Sequence, residues 1–225
     1  CQAYRSKIPG TIGDSCSPTQ KTDLMKLFLK VLSYLFHPLF IPLMGTLSYF
    51  VITPKYSPRE MQYGNILPIF ILTVIIPIII YFILRNLGVV SNIFLPKVGE
   101  RKYPLMISLG LLLLIVIKVI PNHFTAEIYY FFIGLITATA CSLFLLLLNF
   151  KSSLHMMGMG TLLMFLIGLS IHFEINITIA ISAFTLAAGL IATARLYFQA
   201  HSRSELLIGF LVGLTSQLLT FKFWL

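Results

Sequence analysis

Acidic side chains are scarce in this chain. Seven aspartates and glutamates stand among 225 residues, and charged residues of both signs make up only 10%. Soluble domains carry roughly 25% charged residues, so a soluble globular domain is excluded. Cysteine is also sparse. Cys1, Cys16 and Cys141 lack metal-ligand spacing, which argues against a zinc motif, and no structural disulfide is implied. Cys141 lies inside an apolar run and reads as a small core residue. No internal repeat, low-complexity tract, long linker or soluble segment interrupts the chain, which excludes a solenoid or a multi-domain assembly.

What is present is hydrocarbon. The sequence is 58% hydrophobic, with a mean hydropathy of +0.94. Apolar runs occupy 31–52, 66–84, 105–120, 128–149, 156–171, 175–193 and 206–221. At about 20 residues per crossing, the expected fold is an all-α polytopic transmembrane helical bundle of six to seven spans. His37, Pro38 and Pro42 in the first run predict a kink. Gly209-x-x-x-Gly213 in the last run permits close helix approach. Met156, Met157 and Met159, interleaved with Gly158 and Gly160, read as packing residues. The aromatics Tyr129, Tyr130, Phe131, Phe132 and Trp224 read as an interfacial belt or as lipid contacts.

Residues 1–24 differ in being polar and aperiodic, with Pro9, Gly10, Gly13 and Pro18. They are expected to be a non-native or disordered segment, with Met25 as the natural start and 25–225 as a single membrane domain. Lipidation of Cys1 is the weaker alternative, because a polytopic chain has little need of that anchor.

Sixteen Lys and Arg against seven acids give a net charge of +9. In a soluble protein that balance would point to nucleic acid. Here the basic residues sit between apolar runs, so membrane lipids and a lipid phosphate are the expected partners, and nucleic acid is not. Counting seven spans places the N-terminus, 85–104, 150–155 and 194–205 on one face. That face collects Lys97, Arg101, Lys102, Lys151, Ser153, His155, Arg195, His201, Arg203 and Glu205. The opposite face offers Lys55, Arg59, Glu60, Lys118, His123, Glu127, His172 and Glu174, thinly spread.

The crowded face has the chemistry of phosphoryl transfer. Arginine forks, lysines and hydroxyls suit a phosphate dianion. Two imidazoles, one with a carboxylate, suit a nucleophile and a general acid. His201 and Glu205 are four apart and on a helix would share a face. With Glu100 and Glu205 as that face's only carboxylates, no metal site and no cofactor are expected, and the cations would neutralise the phosphoryl oxygens. His37, His123 and His172 have no matched partner in the sequence and read as interfacial or packing residues. Lys26, Lys30, Arg85 and Lys222 read as interfacial anchors.

Arg195, five residues, His201, three residues, Glu205 resembles the third signature of the type 2 phosphatidic acid phosphatase and vanadium haloperoxidase superfamily, with Glu205 for aspartate and Ala194 for serine. Ser152-Ser153-Leu154-His155 is similar to its second signature at Ser153 and His155, while the proline and glycine differ. The first signature is out of register: Lys97, Arg101 and Lys102 lie near it, but Pro96 and Tyr103 take the positions of its lysine and arginine. The resemblance covers about 95–215. It implies a metal-independent phosphatase acting on a lipid phosphate of the phosphatidate or polyprenyl-diphosphate type. His201 would be the nucleophile that becomes a phosphohistidine, Glu205 would orient it, and His155 would protonate the leaving group. Arg195, Ser153 and Lys97 or Arg101 would hold the phosphoryl oxygens. Vanadate-dependent peroxidase chemistry suits a membrane-embedded site less well.

The alternative is a catalytically degenerate relative that serves as a lipid-binding or partner-binding scaffold. A transporter lacks support in a repeated half or an intramembrane charge pair. The expected location is a bacterial cytoplasmic membrane. Setting aside the candidate phosphate ligands, Lys26, Lys30 and Arg85 stand against Lys55, Arg59, Lys118 and Lys222, which leaves the orientation open.

Overall fold

The computed structural model describes residues 18–89, 101–120 and 125–225, with side chains from residue 23 onward. Among the described residues nine α-helices follow one another: α1 (Pro18–Leu35), α2 (Ile41–Ile52), α3 (Arg59–Phe70), α4 (Ile76–Asn86), α5 (Lys102–Lys118), α6 (Ala126–Leu147), α7 (Leu154–His172), α8 (Thr178–Tyr197) and α9 (Arg203–Leu218). The described residues contain no strand. Among the described residues six stretches are long and apolar enough to cross a membrane, 23–52, 59–86, 126–147, 154–172, 178–197 and 203–223. The 17-residue α5 lies between the second and third of these and packs against α6. The protein is an all-α integral membrane bundle. Residues 18–24, set apart as polar in the sequence, belong to α1 and run without a break into Met25.

Proline shapes the first two spans. α1 stops at Leu35, a 3-10 turn covers Pro38–Phe40, and α2 restarts at Ile41. The backbone at His37 is extended, as the residue before a proline prefers, and its imidazole accepts the N–H of Leu39 at 3.3 Å. In the second span α3 continues through a π-helical turn, Ile71–Ile75, into α4. Pro77 has no N–H for the carbonyl four residues back, and its ring crowds that carbonyl. The wider turn relieves the clash without breaking the span.

α7 is the axis of the bundle. Of its most apolar 18 residues 72% are buried, against 17–44% for the other spans. It lies against α9 at a distance that glycine sets. A Cβ at Gly213 would collide with the Met157 carbonyl, one at Gly209 with the Ser153 carbonyl, and one at Gly160 with the Phe210 carbonyl. The small-residue spacing thus brings two backbones into direct contact. The methionines Met156, Met157 and Met159 are buried here, as packing residues should be.

Part of the expected aromatic belt is core instead. Phe131 and Phe132 are fully buried, and Phe131 stacks on Phe165 at 4.4 Å. Trp224 is buried too, its indole N–H directed at the Thr220 hydroxyl 3.4 Å away. Successive helical residues turn by about 100°, so four aromatics in a row cannot all face lipid. Tyr129 and Tyr130 remain half-buried at the margin.

Candidate active site at one end of the bundle

The two helices α6 and α8 are each stopped at this end by a left-handed residue. α6 ends with Asn149 at φ 61°, α8 with Gln199 at φ 50°. In both, paired bonds close the terminus: Phe150 N–H to Leu145 O and Asn149 N–H to Leu146 O, then Ala200 N–H to Arg195 O and Gln199 N–H to Leu196 O. This six-to-one and five-to-two pattern satisfies the last carbonyls and reverses the chain abruptly. Lys151 and His201 are therefore presented immediately beyond helix ends rather than on long loops.

His201 precedes the α9 N-cap, Ser202, and Glu205 is the third residue of the helix. The Ser202 hydroxyl accepts the Glu205 N–H at 3.3 Å, and the Glu205 carboxylate accepts the Ser202 N–H at 3.3 Å, a capping box. The same carboxylate lies 2.7 Å from His201 Nδ1. The expectation that the two residues share a helical face is thus corrected: the pair meets because the capping box turns the carboxylate back toward the residue before the helix. With Nδ1–H donated to Glu205, the neutral tautomer leaves the Nε2 lone pair available.

Three cations converge on the pair. Lys151 donates to the Ala200 carbonyl at 2.9 Å and lies within electrostatic reach of Arg101, Arg195 and Glu205. Glu205 also acts on Arg101, and Arg101 on Arg195. Burial lowers the Lys151 ammonium below its ordinary value, and Arg101 and Arg195 add to the effect while Glu205 opposes it. Burial likewise lowers Arg101. His201 is pushed down to about 4, first by burial and then by Lys151 and Arg195, against the opposing pull of Glu205. At neutral pH the ring is uncharged beside a cationic cluster.

Ser153 is wholly buried, and its N–H donates to the Glu205 carbonyl at 3.1 Å. Its hydroxyl and the Arg195 Nε are buried with no hydrogen-bond partner among the described residues. Buried donors are normally satisfied, so these two mark a place where an acceptor belongs. Leu154 begins α7 and lines an apolar groove.

His155 is buried beside this cluster, but its Nε2 lies 3.3 Å from the Ser33 carbonyl. A carbonyl only accepts, so Nε2 carries the proton in the neutral ring and Nδ1 is the edge that remains. The His37 ring meets it edge-on at 5.2 Å. His37, expected to be an interfacial or packing residue, therefore packs against a candidate site residue. Nothing in its local spacing announced this, because the contact joins residues 118 apart in sequence. Of the sequence-derived site residues, Arg101, Ser153, His155, Arg195, His201 and Glu205 are brought to this end, and Lys97 lies outside the described residues. Among the described residues no three His, Cys, Asp or Glu converge as metal ligands.

The opposite end is not the thin scatter the sequence suggested. Glu127, buried in the first turn of α6, bonds Lys55, accepts the Tyr49 hydroxyl at 3.1 Å and lies 3.4 Å from His172 Nε2. His172 therefore has a partner, and a charge pair with one buried member, Glu127, and one exposed member, Lys55, does exist at the end of a span. Lys55 also sits 5.5 Å above the Phe173 ring. This cluster ties the chain after α2 to α6 and α7.

No protein-family model matches this chain, nor does any curated protein or solved structure.

Proposed function

We propose that the protein is a membrane-embedded, metal-independent lipid phosphate phosphatase that works through a phosphohistidine, the chemistry implied by its resemblance to the type 2 phosphatidic acid phosphatases. One observation carries the reading. A neutral imidazole oriented by a carboxylate, His201 on Glu205 at 2.7 Å, stands among Arg101, Lys151 and Arg195, with the buried Ser153 hydroxyl and Arg195 Nε without a partner among the described residues. Phosphoryl transfer needs little more than positioning and charge stabilisation, which such a cluster supplies.

In the first step His201 Nε2 attacks phosphorus. The N–P bond forms as the P–O bond to the lipid alcohol or phosphate breaks, and the departing oxygen takes up a proton. Glu205 stabilises the positive ring that results. In the second step water attacks phosphorus, the N–P bond breaks and inorganic phosphate leaves with the water's oxygen. The net change is one water consumed per ester or anhydride bond cleaved. With its proton on Nε2 and directed at Ser33, the neutral His155 presents only an Nδ1 lone pair, which takes a proton from the attacking water in the second step, while the leaving oxygen of the first step takes its proton from solvent water.

Purified protein in detergent should release phosphate from phosphatidate or from a polyprenyl diphosphate, and should trap acid-labile phosphate on His201. Loss of both in His201→Ala is the expected result. Release that survives this substitution refutes the assignment.

The second reading, a non-catalytic lipid-binding scaffold, draws on the His155 orientation, because a general acid with one nitrogen committed to a backbone carbonyl is constrained. It predicts binding of lipid phosphate without release.

A further inference from the structure

The break between α1 and α2 supports His155 from outside its own helix. In an unbroken helix the Ser33 carbonyl would accept the N–H of His37, four residues on. Here α1 stops at Leu35, and the His37 N–H goes to Tyr34 O at 3.2 Å instead. A carbonyl left over at a helix end needs another donor, and His155 Nε2 supplies it at 3.3 Å. Pro38 enforces the break from the other side, with His37 extended at φ −66° and ψ 142° as a residue before proline prefers. From that position the His37 ring meets the His155 ring edge-on, centroids 5.2 Å apart and planes at 84°. One interruption thus provides both partners of His155, an acceptor for its N–H and a ring that sets its plane. Arg195 acts electrostatically on both imidazoles, so the pair borders the cationic cluster.

We propose that His37 is a positioning residue for His155: its ring fixes the plane in which the His155 Nδ1 lone pair meets the water that attacks the phosphohistidine. The inference rests on the phosphatase reading, in which His155 acts in the second step alone. The outer torsion of a histidine side chain is broad, and a single bond from Nε2 leaves the ring free to swing. A second ring packed edge-on, the arrangement that aromatic pairs favour, removes that freedom and aims Nδ1. His37 moves no proton itself. Its Nδ1 accepts the Leu39 N–H at 3.3 Å, so in the neutral ring Nε2 carries the proton and no lone pair remains for a relay. Misplacing a reacting group by about 1 Å slows a step by about 100-fold, which sets the size of the effect to expect.

The test compares His37→Asn with His37→Phe in the intact protein. Asparagine can accept the Leu39 N–H in an Asx turn and suits a position before proline, so it keeps the break and loses the ring. Phenylalanine keeps an edge-on ring and loses the acceptor. His37→Asn should melt close to wild type yet release phosphate from phosphatidate up to about 100-fold more slowly. His37→Phe should melt lower and keep most of the activity. In a single turnover quenched with alkali, His37→Asn should place phosphate on His201 at the wild-type rate and lose it more slowly. A general loosening of the fold would not separate the two steps in this way. His155→Ala should show the same split, and adding His37→Asn to it should slow release no further. Wild-type release by His37→Asn, equal slowing of both steps, or a double variant that multiplies the two single effects overturns the proposal and leaves the phosphatase reading standing. His37→Phe as slow as His37→Asn also overturns it, because the imidazole N–H rather than the ring plane would then be what the site needs. A wild type that releases no phosphate from phosphatidate or a polyprenyl diphosphate and forms no phosphohistidine removes the phosphatase reading, and this proposal with it.

Discussion

His201 Nδ1 lies 2.7 Å from Glu205 Oε2, although only Glu205 belongs to α9. One carboxylate thus orients a candidate nucleophile and closes the capping box that starts the helix. The two roles separate in Glu205→Gln, because glutamine also completes a capping box. The variant should melt near the wild-type temperature. Phosphate release should fall by as much as about 10⁴-fold, the effect of replacing by an amide the carboxylate that orients a catalytic histidine. Parallel thermal melts and rate measurements in one detergent check it, and equal activity of the two proteins removes the orienting role.

The depressed His201 also predicts an acid response. An ordinary histidine titrates near 6.5 and His201 in the folded protein near about 4, so between these values the unfolded chain binds the extra proton. The contribution of a neutral His201 to stability is present above about 6.5 and is lost as pH falls toward about 4. Wild type should therefore lose more thermal stability than His201→Gln between about pH 7.5 and about pH 5. Identical losses would mean that the ring is not held neutral.

The contact of α7 with α9 is tested at glycine. Gly213→Ala places a methyl on the Met157 carbonyl, which cannot rotate away, and should destabilise by about 1–3 kcal/mol. Gly110 and Gly189 have nothing within 4 Å of a new Cβ, so alanine there should be neutral or mildly stabilising. Denaturation in mixed micelles ranks the three variants, and an unaffected Gly213→Ala contradicts the packing.

At the far end, Lys55→Ala removes one of three partners from the buried Glu127 carboxylate, leaving Tyr49 and His172. Lys55 is half-exposed and water reaches it, so the loss should be modest, ~1–2 kcal/mol. Phosphate release measured well below the melting temperature should be unchanged. A large fall in activity would tie this cluster to the candidate site.

How much of this was legible in the sequence depended on distance along the chain. The spans were, because hydropathy is a local property, and so were the interruption at His37–Pro38 and the approach at Gly209 and Gly213. The grouping of Arg101, Ser153, His155, Arg195, His201 and Glu205 followed from counting crossings. Contacts between remote residues left no local mark. Glu127 meets Tyr49 78 positions away, and His155 meets Ser33 122 away. The turns that present Lys151 and His201 were half-visible: Asn149 is a familiar left-handed terminator, and Gln199 is not. Phe131 and Phe132 were misplaced because runs of aromatics suit an interface and a core equally well.

The Ser153 N–H on the Glu205 carbonyl, the Lys151 ammonium on the Ala200 carbonyl and the glycine contacts beneath them make the α6–α7 and α8–α9 junctions a single jaw. The other wall, at His37–Pro38, meets that jaw through rings: His155 reaching to Ser33, and His37 against His155. Backbone pairing and glycine contacts hold the first, whereas the second rests on side chains, so motion at this end is expected on the His37 side rather than at the His201–Glu205 pair.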